Sequence, residues 1–334
     1  NLESDFADNI AAGPNGTTYY GGDVSTESDP NNGCYDNSET TGTLGVLNTT
    51  AGTTTEHVLK GSIGPMKVDS AGDVWWIEQT GSCYNGETTT YLLGSDEYAI
   101  GELPAGSSTP TEKPFSAAGL SGLSDVEDVA ISPDGTQLFI ATYNTGIAKI
   151  ATATLTAPTI ITPSLSEWPY TIATAPNYTT MWFSDSEGQG DTYFYGYVPG
   201  SSFAQGSVAE VTFPIEDFKS YSMTYADQSF WVAGESGGGI GRVSGLLATT
   251  PAPLNAFYQI PPAEDEQYLG SISAAGGVVW SADECQGIIN LLQYGVPSSG
   301  TVTYSRTRTF GSFRNRSRLP MHHRSGHFIR HRTA

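Results

Sequence analysis

Short apolar runs broken by polar turns fill most of the chain, and no segment holds a convincing helical period. The clearest stretch runs from Gly64 to Phe115. Met66-Lys-Val68 and Val74-Trp-Trp-Ile77 read as strands on either side of a Ser70-Ala-Gly-Asp73 turn, and Tyr98–Leu103 and Thr111–Phe115 read as two more. Four strands meandering through about fifty residues make one blade of a β-propeller. The same order of strand, turn, aromatic strand, Ile-Gly strand and Thr-rich strand recurs at about 9–59, 64–115, 126–162, 169–213, 220–260 and 269–304. The anchoring apolar residues of the first strands are Ile10, Met66, Val129, Ile172, Met223 and Ile272. The pattern therefore predicts an all-β chain, a β-propeller of six or seven four-stranded blades. A lone blade has two apolar faces, so the second-strand aromatics Trp76, Phe139, Trp182, Trp231 and Trp280 are assigned to packing between blades.

Two of these segments, Met181-Trp-Phe-Ser184 and Gly239-Ile-Gly-Arg-Val243, carry a resemblance. Together with the repeat over roughly 9–304 they resemble the virginiamycin B lyase-like (streptogramin lyase) β-propellers. That resemblance implies seven blades and a metal-assisted proton abstraction served by rim histidines and a glutamate. Six repeats are legible, and none of the six rim loops holds a histidine, so the lyase chemistry is not expected here.

Charge divides the chain. Eight of the 14 basic residues lie between Arg306 and Arg332, and no acid follows Glu284, so residues 1–305 carry six basic against 35 acidic side chains, a net of −29. This predicts a propeller body over 1–305 that repels nucleic acid and anionic membranes. Residues 306–334 form a basic tail rich in Arg and His. It reads as an arm for an anionic partner, as a solvated arm, or as a frameshifted or unspliced stretch standing in place of another blade. No apolar run approaches the ~20 residues of a membrane span. The polar, turn-rich composition and the start at Asn1 predict a secreted, extracellular protein. Its sequons at Asn15, Asn48, Asn177 and Asn315 are candidate glycosylation sites.

Candidate chemistry is sparse. The loops after the second strands are acidic, and a site for Ca²⁺ or Mg²⁺ built from Glu78, Asp185, Glu235 and Asp283, with Asp23 nearby in kind, would use oxygen ligands as hard cations require. A solvated acidic rim is the competing reading. A lactonase-type calcium set would draw on Glu78, Glu127, Asp128 and Asp185. Cys34 and Cys83 occupy equivalent long loops, about 21–42 and 79–97, and are expected to form a disulfide that pins these loops together. The function expected is a non-catalytic binding or assembly module for a glycan, a protein or its own copies. The alternatives are a metal-dependent lyase or lactone hydrolase and a subunit of an extracellular filament or surface layer.

Overall fold

The computed structural model describes residues 9–25, 40–48, 50–80, 82–84, 89–91, 98–143, 145–161, 169–175, 181–185, 191–197, 205–212, 220–234, 239–244, 254–259, 269–275, 277–283, 288–293 and 303–306. The fold is all-β in a β-propeller arrangement. Among the described residues lie six four-stranded antiparallel sheets, and in each the strands follow one another as a meander. In the second sheet a two-stranded hairpin, Ser82–Tyr84 with Thr89–Tyr91, interrupts the meander. The only helices described are Pro14–Gly16, a 3₁₀ turn, and Phe115–Ala118, one α-turn closed by Gly119 at φ 76°.

The innermost strands are Asn9–Ala12, Gly61–Val68, Val126–Ile131, Thr171–Thr174, Ser220–Ala226 and Leu269–Ala275. Their six anchors, Ile10, Met66, Val129, Ile172, Met223 and Ile272, are all buried. Each inner strand is also an edge strand, because neighbouring inner strands splay apart and form no ladder with each other. Unpaired N–H and C=O groups along such an edge need other partners. Side chains supply them at four of the six junctions, and at the other two side chains bridge to each other. Asn9 Nδ2 donates to Ile63 O at 2.8 Å, and Lys67 Nζ reaches Asp128 Oδ1 at 3.3 Å. The Ile172 N–H donates to Asp128 Oδ2 at 3.0 Å, and Thr174 Oγ1 donates to Ile131 O at 2.6 Å. The hydroxyls of Thr171, Ser184 and Ser220 are linked in series. The Ile272 N–H donates to Ser222 Oγ at 3.3 Å.

The sixth sheet meets the first in the same way. Ser271 Oγ accepts the Ile10 N–H at 3.1 Å and donates to Ile10 O at 3.2 Å, while Ser273 Oγ accepts the Ala12 N–H at 2.8 Å. Among the described residues no strand from one end of the chain completes the sheet of the other, and side chains bridge this seam. Ser271→Ala is expected to cost about 1–3 kcal/mol, the penalty for leaving a buried N–H unmet. Urea unfolding would record that loss, and amide exchange at Ile10 would rise first. Unchanged exchange there would count against the seam.

Strand register adds which neighbouring sheet the second-strand aromatics face. These aromatics pair with equivalent inner-strand positions: Tyr19 with Ala11, Phe139 with Ala130, Trp182 with Ala173, Trp231 with Thr224 and Trp280 with Ser273, the first four packing against the following sheet. In the second sheet that place belongs to Trp75, opposite Lys67, and not to Trp76. Trp76 lies opposite Met66 and joins Tyr19, Leu44 and Leu59 in the contact with the first sheet. Two adjacent tryptophans thus fill both faces of one blade, which alternation along a strand requires.

The same register explains glycine in the Ile-Gly strands. Gly101 lies beneath the Trp76 indole and Gly45 beneath the Tyr20 ring, and an added Cβ at either would fall inside the aromatic. Gly101→Ala is expected to destabilise by about 1–3 kcal/mol through overpacking. A fall of the thermal midpoint relative to the wild-type chain would measure it, and an unchanged midpoint would contradict the close approach of Trp76.

Candidate functional site

A cavity of about 340 Å³ opens where the inner strands end. All six inner strands contribute to its wall, for example through Ala12, Lys67, Ile131, Thr174, Tyr225 and Ser273. The turns that leave the second and third inner strands add Ser70 and Ser132. These turns form as the sequence directs. In Asp69–Asp73, Asp69 Oδ1 accepts the N–H groups of Ala71, Gly72 and Asp73, each at 2.9 Å. In Ser132–Gly135, Gly135 takes φ 71° and donates to Ser132 O at 2.8 Å. Contacts from the Ser132 and Thr136 side chains and the Thr136 N–H hold the Asp134 carboxyl below its usual range.

The charged groups of the cavity are engaged inside the protein. Asp128 is fully buried, and its two oxygens take the Lys67 ammonium, the Val129 N–H at 2.8 Å and the Ile172 N–H at 3.0 Å. Burial pushes its pKa up, and Lys67 and these N–H groups pull the other way. Asp69 is the cap of its own turn. The side chains left for a ligand are hydroxyls and small apolar groups.

The cavity lies at the opposite end of the second inner strand from the point where Glu78 pairs with it. Glu78 is not in a loop. It sits inside strand Val74–Thr80, pairs with Ile63, and is fully buried. Neither of its oxygens meets a partner in hydrogen-bonding geometry. Burial, then the nearby charge of Glu112, pushes its pKa up to about 8, although the Trp76 indole, the Lys60 N–H and the Lys60 charge lean towards the anion. Glu112 itself is raised by burial, and Lys60 Nζ lies 4.0 Å from it. That is the setting of a neutral acid. Asp185 and Asp283 end the second strands of the fourth and sixth sheets, and Asp23 lies within strand Thr17–Ser25; their side chains and all of Glu235 lie outside the described residues. Among the described residues no three His, Cys, Asp or Glu side chains gather into a metal set.

Glu127 is the residue of the β-bulge between Val126 and Asp128, and Asp128 makes the junction with Lys67. The arginine of the Gly239–Val243 motif also has a structural place: Arg242 stacks over Trp231 at 5.1 Å and donates from Nε to Ser229 Oγ at 3.0 Å. His57 lies in the outer strand of the first sheet, half-buried, with its pKa lowered by burial. Asn15 and Asn48 are exposed, at a turn and at a strand end, whereas Asn177 lies outside the described residues. Cys34 lies outside them too, and Cys83 falls in the inserted hairpin. No described helix is long and apolar enough to cross a membrane.

Sequence reading missed the inner belt that frames the cavity. Its signal was present: a short polar residue directly precedes the anchor in Asn9-Ile10, Asp128-Val129, Thr171-Ile172, Ser222-Met223 and Ser271-Ile272.

No family model matches the chain, and no curated protein matches it in sequence. Solved structures do resemble it in fold. A nidogen/laminin complex contains a chain with TM-score 0.54 and 11% identity, over 75% of this chain and 85% of that one. A protein of unknown function from Bacteroides thetaiotaomicron reaches TM-score 0.58 and 14% identity, over 87% and 70%. A complex of KlAtg21 with the coiled coil of AgAtg16 gives TM-score 0.50 and 12% identity, over 86% and 80%. At such identities the likeness establishes the β-propeller fold alone.

Proposed function

We propose that this chain is a secreted, six-bladed β-propeller that binds a partner and does no chemistry on it. The observation that carries the reading is the state of the central cavity: Lys67 and Asp69, the charged side chains on its wall, are already committed to Asp128 and to backbone N–H groups. A group held in this way is a poor acid or base, whereas hydroxyls and small apolar surface suit recognition. The neighbours in fold include chains solved within protein complexes, which is compatible with a binding module. The Gly239–Val243 and Met181–Ser184 segments are what supports a resemblance to the virginiamycin B lyase-like propellers. The Cys34–Cys83 disulfide and glycans at Asn15, Asn48 and Asn177 belong to the same extracellular reading.

Elemental analysis of the purified protein, run with sizing in solution, tests it. The expected result is a substoichiometric content of divalent metal. Tightly held Ca²⁺ or Mg²⁺ at one ion per chain, lost on replacing Asp185 and Asp283 by Asn, would revive the metal-dependent reading instead.

A further inference from the structure

We infer that the cavity at the turn end of the channel is a binding site for a neutral, polyhydroxylated ligand of one or two sugar rings. The inference rests on the binding reading above and names the ligand class for that site. Its volume, about 340 Å³, is at the small end of ligand pockets. Its formal charges cancel internally or are spent on the fold: Lys67 pairs with Asp128 at 3.3 Å, and Asp69 caps its own turn. A charged ligand would meet no free counter-charge there and would lose its hydration for little return.

What the wall does offer is a set of hydroxyls. Thr174 and Ser132 are used within the protein. Ser70, Thr224 and Tyr225 have no hydrogen-bond partner among the described residues. Ser273 accepts the Ala12 N–H and keeps its own proton to donate. Thr224 and Tyr225 stand on the inner strand three places round the ring from the one that carries Lys67 and leads into the turn with Ser70. A ligand between them would be met by donors and acceptors on both sides. Tyr225 is held edge-on by Phe230 at 4.8 Å, so its ring is a fixed wall with a polar tip. Hydroxyls on two sides of a small, partly apolar chamber match a pyranose, whose hydroxyls point outward round an apolar ring.

The test titrates the full chain with D-glucose, D-galactose, D-mannose, cellobiose and lactose by calorimetry, with glucuronate and glucosamine as charged counterparts. Thr224→Val with Tyr225→Phe removes two hydroxyls at nearly constant shape, and its circular dichroism and thermal midpoint check that the fold survives. The expected result is saturable 1:1 binding of at least one neutral sugar, weakened about tenfold or more in the double variant, since one lost hydrogen bond is worth about 1 kcal/mol. Failure of every neutral sugar to bind, equal binding by the variant, or tighter binding of the charged counterparts would overturn the sugar assignment and leave the binding reading standing. Chromatography of the recovered sugar separates the two ideas: a converted product would overturn the binding reading itself.

Discussion

Lys67→Met is expected to cost the fold about 3–5 kcal/mol at neutral pH, the penalty for stranding a buried charge. Asp128 is fully buried and joins three sheets: Lys67 comes from the second, its own backbone from the third and the Ile172 N–H from the fourth. Without the ammonium, burial alone governs the carboxyl. The folded pKa of Asp128 already lies above its ordinary value because of burial, with Lys67 the largest opposing influence. For an acid raised in this way, ionisation penalises the fold. The penalty is absent below the unfolded pKa and grows as pH rises through the folded one. The Lys67→Met deficit should therefore shrink on acidification, as Asp128 takes up a proton. Adding Asp128→Asn to Lys67→Met should restore part of the loss at neutral pH, because an amide needs no counter-charge. Denaturant unfolding of the two variants at several pH values measures all of this. A Lys67→Met deficit that does not depend on pH would show that the pair is not what holds this junction.

Glu78→Gln is expected to flatten the pH dependence of stability. Burial and Glu112 raise the Glu78 pKa from its ordinary 4.5 to about 8 in the folded chain. Between those values the unfolded state is ionised and the folded state is not. Stability then falls by about 1.4 kcal/mol per pH unit, and about 3 kcal/mol is gone by pH 7. Glu102 and Glu112 are raised by burial as well and slope the same way, so the comparison of wild type with variant isolates Glu78. The glutamine is worth most above pH 8 and least near pH 4. Unfolding curves at both ends would show it, and parallel profiles for the two proteins would contradict the burial assigned to Glu78.

Strands and turns were legible because their signals are local. A Pro-Asn-Gly or Pro-Asp-Gly turn needs glycine at positive φ, as Gly16 and Gly135 show, and alternation fixes the anchors that every inner strand buries. Contacts between sheets were less legible. Nothing in Val74-Trp-Trp-Ile77 says which tryptophan faces which neighbour, since a shift of one residue exchanges the faces. Glu78 misled for a related reason: an acid two residues beyond a tryptophan looks like the start of a loop, but the strand runs on to Thr80. The belt of Asn9, Asp128, Thr171, Ser222 and Ser271 was written in the sequence as a repeated polar-apolar pair. Its purpose emerges only when the inner strands are seen as edges that must satisfy one another. Pro65 breaks the pair in the second sheet. There the strand bulges between Ile63 and Met66, and Lys67 makes the junction instead.

A ring whose last sheet latches directly onto its first is the claim on which the channel, its cavity and the ligand proposal depend. Ala12→Cys with Ser273→Cys tests it, since the Ala12 N–H and Ser273 Oγ lie 2.8 Å apart across that seam. Oxidation followed by a peptide map under non-reducing conditions should give a cross-link between positions 12 and 273 in the monomer. An uncross-linked pair in a protein that folds normally would mean that another sheet stands between the two ends, and that the ring is not closed in this way.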